Sequence, residues 1–212
     1  KSSNRKTILV QLSFVLIALA VSGIFPGQAV AETVKFDSIP LGTLYGMPVG
    51  QTPGNTILVE DGVNVVIETL MIAGNPYFNL GKIDTVITSG GTFGSGHTLN
   101  ENNIDVVFNF NGPGDVTFEC LDLGGVVNMQ VNGFGPVLEG PDMMSLAGPV
   151  APGVTMNVVP VGFGGGYKAL VTLTGPVQSF RVGGQEFWID NVFCDNGLGG
   201  SGSGGCDYEI NH

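Results

Sequence analysis

Glycine and proline interrupt nearly every stretch of a dozen residues in this chain, which carries 35 glycines and 12 prolines among 212 residues. In a helix interior each Gly costs about 1 kcal/mol and each Pro about 3 kcal/mol relative to Ala, so such spacing leaves no long helix affordable. Apolar residues also fail to recur at helical spacing over any long window. What recurs instead is the strand signal: short runs rich in Val, Ile, Thr and Phe, bounded by Gly, Asn, Asp and Pro. The runs are ETVKFDSI, NTILVE, VNVVIETLMIA, KIDTVITS, NIDVVFNF, DVTFECLDL, VVNMQVNG, GVTMNVVPV, YKALVTLTG, VQSFRVG and QEFWIDNVFC.

In NIDVVFNF the alternation is clean and places Ile104, Val106, Phe108 and Phe110 on one face, the face that a second sheet would cover. GPGD at 112–115 reads as a hairpin turn joining NIDVVFNF to DVTFECLDL, and the antiparallel pairing it implies points away from α/β folds. Many short strands, close turn signals and no crossover helix predict an all-β fold, an antiparallel β-sandwich of jelly-roll type.

The first 31 residues read as export machinery rather than fold. Lys1, Arg5 and Lys6 precede an almost charge-free apolar run, and Ala29-Val30-Ala31 is the small-x-small pattern of a signal-peptide cleavage site. The alternative is an uncleaved anchor, because the run approaches the roughly 20 residues that span a bilayer. The predicted organisation is therefore a signal peptide (1–31), a β-sandwich domain (32–194) and a Gly/Ser-rich flexible tail (195–212). A chain of this length buries a full core in one domain without needing staples.

From Glu32 onward 4 basic residues face 18 acidic ones, a balance of −14. That argues against nucleic acid or an anionic membrane surface as partner, since neither finds its phosphates neutralised. It suits a secreted, extracellular or cell-surface protein and leaves cation binding open. Three cysteines allow one disulfide at most. Cys194 and Cys206 bracket the flexible NGLGGSGSGG and form the candidate pair, whereas Cys120 lies in a strand pattern as a buried thiol.

No catalytic constellation emerges. His97, in the glycine-rich SGGTFGSGH, is the one histidine inside the predicted domain and reads as a solvated loop residue; G-x-S-x-G and a P-loop are absent. Glu119 and Asp122 are the nearest carboxylates that a glycosidase could use, but a regular strand places them on opposite faces. The segment at 134–152, with four prolines, predicts a long irregular loop, either functional or a cover over the open end of the sandwich with Met143, Met144 and Leu146 beneath it.

FDSIPLG at 36–42 and WIDN at 188–191 carry more. First and last strands of a jelly roll commonly run side by side, so Asp37 and Asp190 are expected to approach, an arrangement that a cation would favour. An early strand with an acidic residue and a final strand ending in I-D-[ND]-V resembles the jelly-roll carbohydrate-binding modules and galactose-binding-like domains of secreted bacterial proteins. That resemblance implies a structural Ca²⁺ tying the two strands through Asp190 and Asp37. The alternative is that Asp190 and Asn191 cap backbone groups at a strand end.

Sugar binding asks for a flat aromatic for a pyranose face and amides for its hydroxyls. Tyr77 and Phe78 in NPYFN, and Phe134 near Asn132, are candidates; Asn128, Gln130 and Asn132 alternate onto one face, either an ordinary solvent face or a shallow binding surface. The sequence thus predicts a secreted non-catalytic binding module for an extracellular carbohydrate or matrix component, with room for a structural Ca²⁺. The alternatives are an adhesive surface protein that self-associates and a glycan-acting hydrolase or lyase.

Overall fold

The computed structural model describes residues 31–88, 91–161 and 167–196. Among the described residues fourteen strands run in order: β1 (Glu32–Val34), β2 (Leu44–Gly46), β3 (Thr56–Glu60), β4 (Val63–Ile72), β5 (Asn75–Tyr77), β6 (Leu80–Asp84), β7 (Ile87–Thr88), β8 (Gly91–Thr92), β9 (Thr98–Asn102), β10 (Ile104–Val131), β11 (Leu138–Gly140), β12 (Gly148–Ala151), β13 (Val154–Val161) and β14 (Tyr167–Asp195). Two short 3-10 turns, Met47–Val49 and Met143–Leu146, complete the elements. All pairings are antiparallel, as the sequence predicts.

The architecture rests on β10 and β14, which each swallow three of the predicted runs and change layer as they go. Residues 104–109 lie between β4 and 179–184, and 127–131 flank the other edge of 179–184. With β3 and β11 these make one layer. Residues 115–122 lie between 167–173 and 187–195, and with β13, β12, β9, β6 and β2 they make the other. β1 pairs with 192–194, so first and last strands do run side by side.

This corrects the reading of GPGD. Both edges of 104–109 and both edges of 115–122 are already occupied, so the two runs do not pair, and Gly112 to Asp115 carry the chain from one layer to the other. Proline lacks an N–H and glycine a Cβ, which suits a crossing as well as a turn. Gly183 and Gly184 stay within the strand β14; a Cβ at Gly183 would meet the Ile104 carbonyl and, at 2.6 Å, the Asp105 Cα.

The core fills the gap between the layers. Ile104, Val106, Phe108 and Phe110 face inward as their alternation predicts, joined by Val116, Phe118 and Cys120 from the opposite layer. Phe180 stacks between Phe108 at 4.8 Å and Phe118 at 5.1 Å, ring planes within 11° and 9°, so one aromatic column spans both layers. Each such pair adds about 1 kcal/mol beyond area burial. The 134–152 segment is more regular than its prolines suggest, holding β11, β12 and a 3-10 turn that Asp142 caps through the Ser145 N–H at 2.8 Å. Met143 is buried in the core, Leu146 packs against it, and Met144 stays exposed, so the segment does cover the sandwich.

Candidate functional site

The polar pair in WIDN takes two unlike roles. Asn191 adopts φ 50, the left-handed region in which Asn is the best tolerated non-glycine residue, and it bends β14 between its pairing with β9 and its pairing with β1. Its amide then donates to Glu119 Oε1 at 3.2 Å. Asp190 is fully buried beneath the turn at 93–97. Its Oδ2 accepts the Ser95 N–H at 2.6 Å and the Ser95 hydroxyl at 3.2 Å, and a side chain at Gly94 would overlap this carboxylate.

The same hydroxyl lies 3.0 Å from Asp37 Oδ2, while Asp37 Oδ1 accepts the His97 N–H at 3.0 Å. The structure therefore brings Asp37 and Asp190 together through Ser95, tying the segment after β1, the 93–97 turn and the last strand. Burial pushes the Asp190 carboxyl up to about 7, against the pull of its donors at Ser95 and Asn191, and the Asp37 charge adds to the rise. Asp190 Oδ1 is buried with no hydrogen-bond partner. His97 is not a solvated loop residue: half-buried, its Nδ1 lies 2.7 Å from the Ile39 carbonyl.

Two carboxylates on one hydroxyl, with an orphaned carboxylate oxygen, are a donor set that fits a hard cation. Ca²⁺ takes six to eight oxygens, so backbone carbonyls or water would complete its shell around Asp37, Ser95 and Asp190. No group of three or more His, Cys, Asp or Glu residues gathers at metal-binding spacing among the described residues.

The other singled-out residues scatter. Tyr77, 47% exposed, and Phe78, packed partly on the core, belong to the β4–β5 hairpin side. Asn128 lies on no open face: it is fully buried, accepting the Met71 N–H at 2.6 Å and donating to the Met71 carbonyl at 2.9 Å. The hairpin folds over the outer side of its own layer, and Glu139 holds its tip through the Ala73 and Gly74 N–H groups at 2.5 and 3.2 Å. Arg181, ion-paired to the buried Asp105 at 2.7 Å, donates to the Thr69 carbonyl of the same hairpin. Gln130 donates to the Gly135 carbonyl at 2.7 Å. These amides bind the protein's own backbone, a demand that alternation alone cannot reveal.

Glu119 and Asp122 face opposite sides as expected; Glu119 pairs with Lys168 at 3.1 Å, and Asp122 accepts the Gly124 N–H at 2.8 Å, its acidity weakened chiefly by burial. Trp188 lies half-buried on the side away from the inward-facing Phe187 and Ile189. Cys194 is buried and donates its thiol to Asn196 Oδ1 at 2.8 Å, while Cys206 lies outside the described residues, as do most of the expected signal peptide and tail. Among the described residues no helix is long and apolar enough to cross a membrane.

Concave surface opens where β10 and β14 cross between layers. A cleft of about 600 Å³ has Asn109, Asn132, Gln178 and Ser179 on its polar side and Phe110, Pro113 and Pro176 on its apolar side. Asn109 and Ser179 stand opposite one another across the ladder. Asn132, at φ 52, spends its amide on the Pro176 carbonyl at 2.9 Å and on the Gln178 and Ser179 N–H groups at 2.8 and 3.1 Å, shaping the wall. Asn109 Oδ1, the Gln178 amide and the Ser179 hydroxyl have no partner among the described residues. Sequence reasoning found Asn132 here and missed the rest; the signal was the Gly-Pro dipeptide at 112–113 and again at 175–176, one at each crossing.

Comparison with known proteins adds little. No protein-family model and no curated protein matches this chain. A solved structure, the K1 cleaved adhesin domain of Lys-gingipain (Kgp) from Porphyromonas gingivalis W83, aligns over 77% of this chain and 96% of that one, at 12% identity and a TM-score of 0.30. A likeness that loose carries no argument about function.

Proposed function

We propose that this protein is an extracellular binding module that takes an uncharged carbohydrate in the crossing cleft. The observation that carries the reading is the lining: three side chains with free hydrogen-bonding capacity, Asn109, Gln178 and Ser179, beside the apolar Phe110, Pro113 and Pro176, with no ionisable side chain. Amides and hydroxyls both give and accept hydrogen bonds, which matches sugar hydroxyls, and the flat apolar groups match the C–H faces of a pyranose. A volume of about 600 Å³ falls within the usual range of small-ligand sites. The lining offers no carboxylate to act as acid or base on a bound glycan, which supports binding over turnover in this cleft.

Ca²⁺ belongs to this reading as a structural ion at Asp37 and Asp190, distant in role from the cleft. The orphaned Asp190 Oδ1 supports it. The binding claim is tested on an array of neutral glycans with and without calcium, followed by calorimetry of the hits. Binding that falls at least tenfold in the doubly substituted Gln178→Ala, Ser179→Ala protein is the expected result. Absence of binding to every neutral glycan in both conditions refutes it.

A further inference from the structure

The lining of the crossing cleft is uneven in both its polar and its apolar halves. Asn109 donates its amide to the Asn64 carbonyl at 3.1 Å, which fixes the amide plane and leaves Oδ1, without a partner among the described residues, as a preoriented acceptor. Gln178 is exposed and Ser179 half-buried, and Asn132 Oδ1 accepts the backbone N–H of each at 2.8 and 3.1 Å, so both side chains stand on a fixed wall. On the apolar side Pro113 and Pro176 are exposed, whereas Phe110 is only 6% exposed, its ring stacked on Phe180 with centroids 6.0 Å apart. The prolines suffice for the C–H face of a sugar ring; the narrow strip of Phe110 suits a group of methyl size. Asp115 accepts the Gly175 N–H at 2.7 Å, next to Pro176, and sets a carboxylate beside that wall.

Resting on the reading of the cleft as a carbohydrate site, we propose that it selects neutral sugars carrying an N-acetyl group. The acetamido N–H donates to Asn109 Oδ1, its carbonyl accepts from the Gln178 amide, and its methyl group lies against Phe110. A sugar hydroxyl can also donate to Asn109, but it brings no apolar group to Phe110. An acetamido group carries a donor, an acceptor and a methyl on one planar unit, and the cleft lining holds a counterpart for each. An acceptor already held in place through Asn64 loses little freedom on binding, which favours the ligand group that uses it. Ser179, opposite Asn109 across the ladder, remains for a ring hydroxyl. The Asp115 carboxylate and the chain's acidic balance repel N-acetyl sugars that also carry a carboxylate, so the class is the neutral N-acetylhexosamines.

The test is calorimetry with sugars that differ only at C2. Di- and trisaccharides of β-1,4-linked N-acetylglucosamine are titrated against those of β-1,4-linked glucose, and methyl N-acetylgalactosaminide against methyl galactoside. In at least one pair the acetamido sugar should bind about tenfold more tightly, the worth of one buried methyl and one hydrogen bond. Asn109→Leu should cut that ratio to about threefold, what the methyl contributes by itself, whereas Ser179→Ala should weaken both members of the pair alike. Equal affinities within both pairs, or a ratio unchanged in Asn109→Leu, overturn the N-acetyl assignment and leave the carbohydrate cleft standing. Silence from all of these sugars overturns the assignment too, and the array of neutral glycans then decides the cleft. A melting curve shows whether Asn109→Leu folds without its bond to Asn64; if it does not, the ratio measured on the parent protein decides alone.

Discussion

Glu101 offers the sharpest test of the physical reasoning, because the structure gives it no help. It sits on β9 opposite Gly81 and Phe187, fully buried, and neither carboxylate oxygen has a hydrogen-bond partner. Burial raises the Glu101 carboxyl well above the ordinary glutamate range, and the Asp105 charge pushes the same way. Glu101→Met keeps the length of the side chain and deletes the orphaned polar atoms. Leaving a buried polar group unsatisfied costs about 1–3 kcal/mol, so the substitution should stabilise by about 2 kcal/mol at low pH. For a domain of this size that raises Tm by about 4–8 °C.

The pH dependence supplies a second and independent signature. The unfolded chain releases this proton near 4.5, and the folded protein retains it to a much higher pH. Between those limits the folded state holds a proton that the unfolded chain gives up, so the cost of Glu101 is smallest below about 4.5 and grows as pH rises, by at most about 1.4 kcal/mol per pH unit. Urea unfolding of both proteins from pH 4 to pH 8 measures this directly. The advantage of Glu101→Met should widen as pH rises above 4.5. A variant less stable than the parent, or a difference that stays constant with pH, would mean that Glu101 has partners or solvent in solution and is not a buried orphan.

Two further outcomes follow from the same geometry. Millimolar Ca²⁺ should raise the Tm of the parent protein and leave Asp190→Asn unmoved, whereas chelator should erase the difference; an equal response in both proteins removes Asp190 from any cation site. Arg181→Met should cost about 3–5 kcal/mol at pH 8 by stranding the buried Asp105 charge. Because burial, partly countered by Arg181, raises the Asp105 carboxyl to about 7, that loss should shrink at pH 5, where the group can take up a proton, and Asp105→Asn combined with Arg181→Met should recover part of it.

How much of the site was legible varied with how local its cause was. The inward faces at Ile104, Val106, Phe108 and Phe110 followed from alternation, because burial acts on each strand separately. The approach of Asp37 to Asp190 followed from the side-by-side course of first and last strands, yet the serine between them lay 95 residues from Asp190 with no motif to mark it. Asn128 and Gln130 read as a surface stripe and turned out to be spent on the chain's own carbonyls, Asn128 on Met71 of the β4–β5 hairpin that folds over it and Gln130 on Gly135. The cleft was invisible for the same reason: its walls come from segments near 109, 132 and 177 that meet only at the layer crossings.

Sequence by itself determined the all-β class and the sidedness of the strands it marked. Glycine and proline density excludes long helices, and period-two hydrophobicity sorts each residue to a face; both are properties of a few neighbouring residues. Tertiary structure alone decided which strands pair, where β10 and β14 leave one layer for the other, and which polar groups remain free once the backbone has taken its share. Those are competitions among distant partners. Asp190 shows the division in one residue: its place on a closing strand is written in WIDN, while its burial, its bond to Ser95 and its orphaned oxygen exist only because the 93–97 turn lies over it.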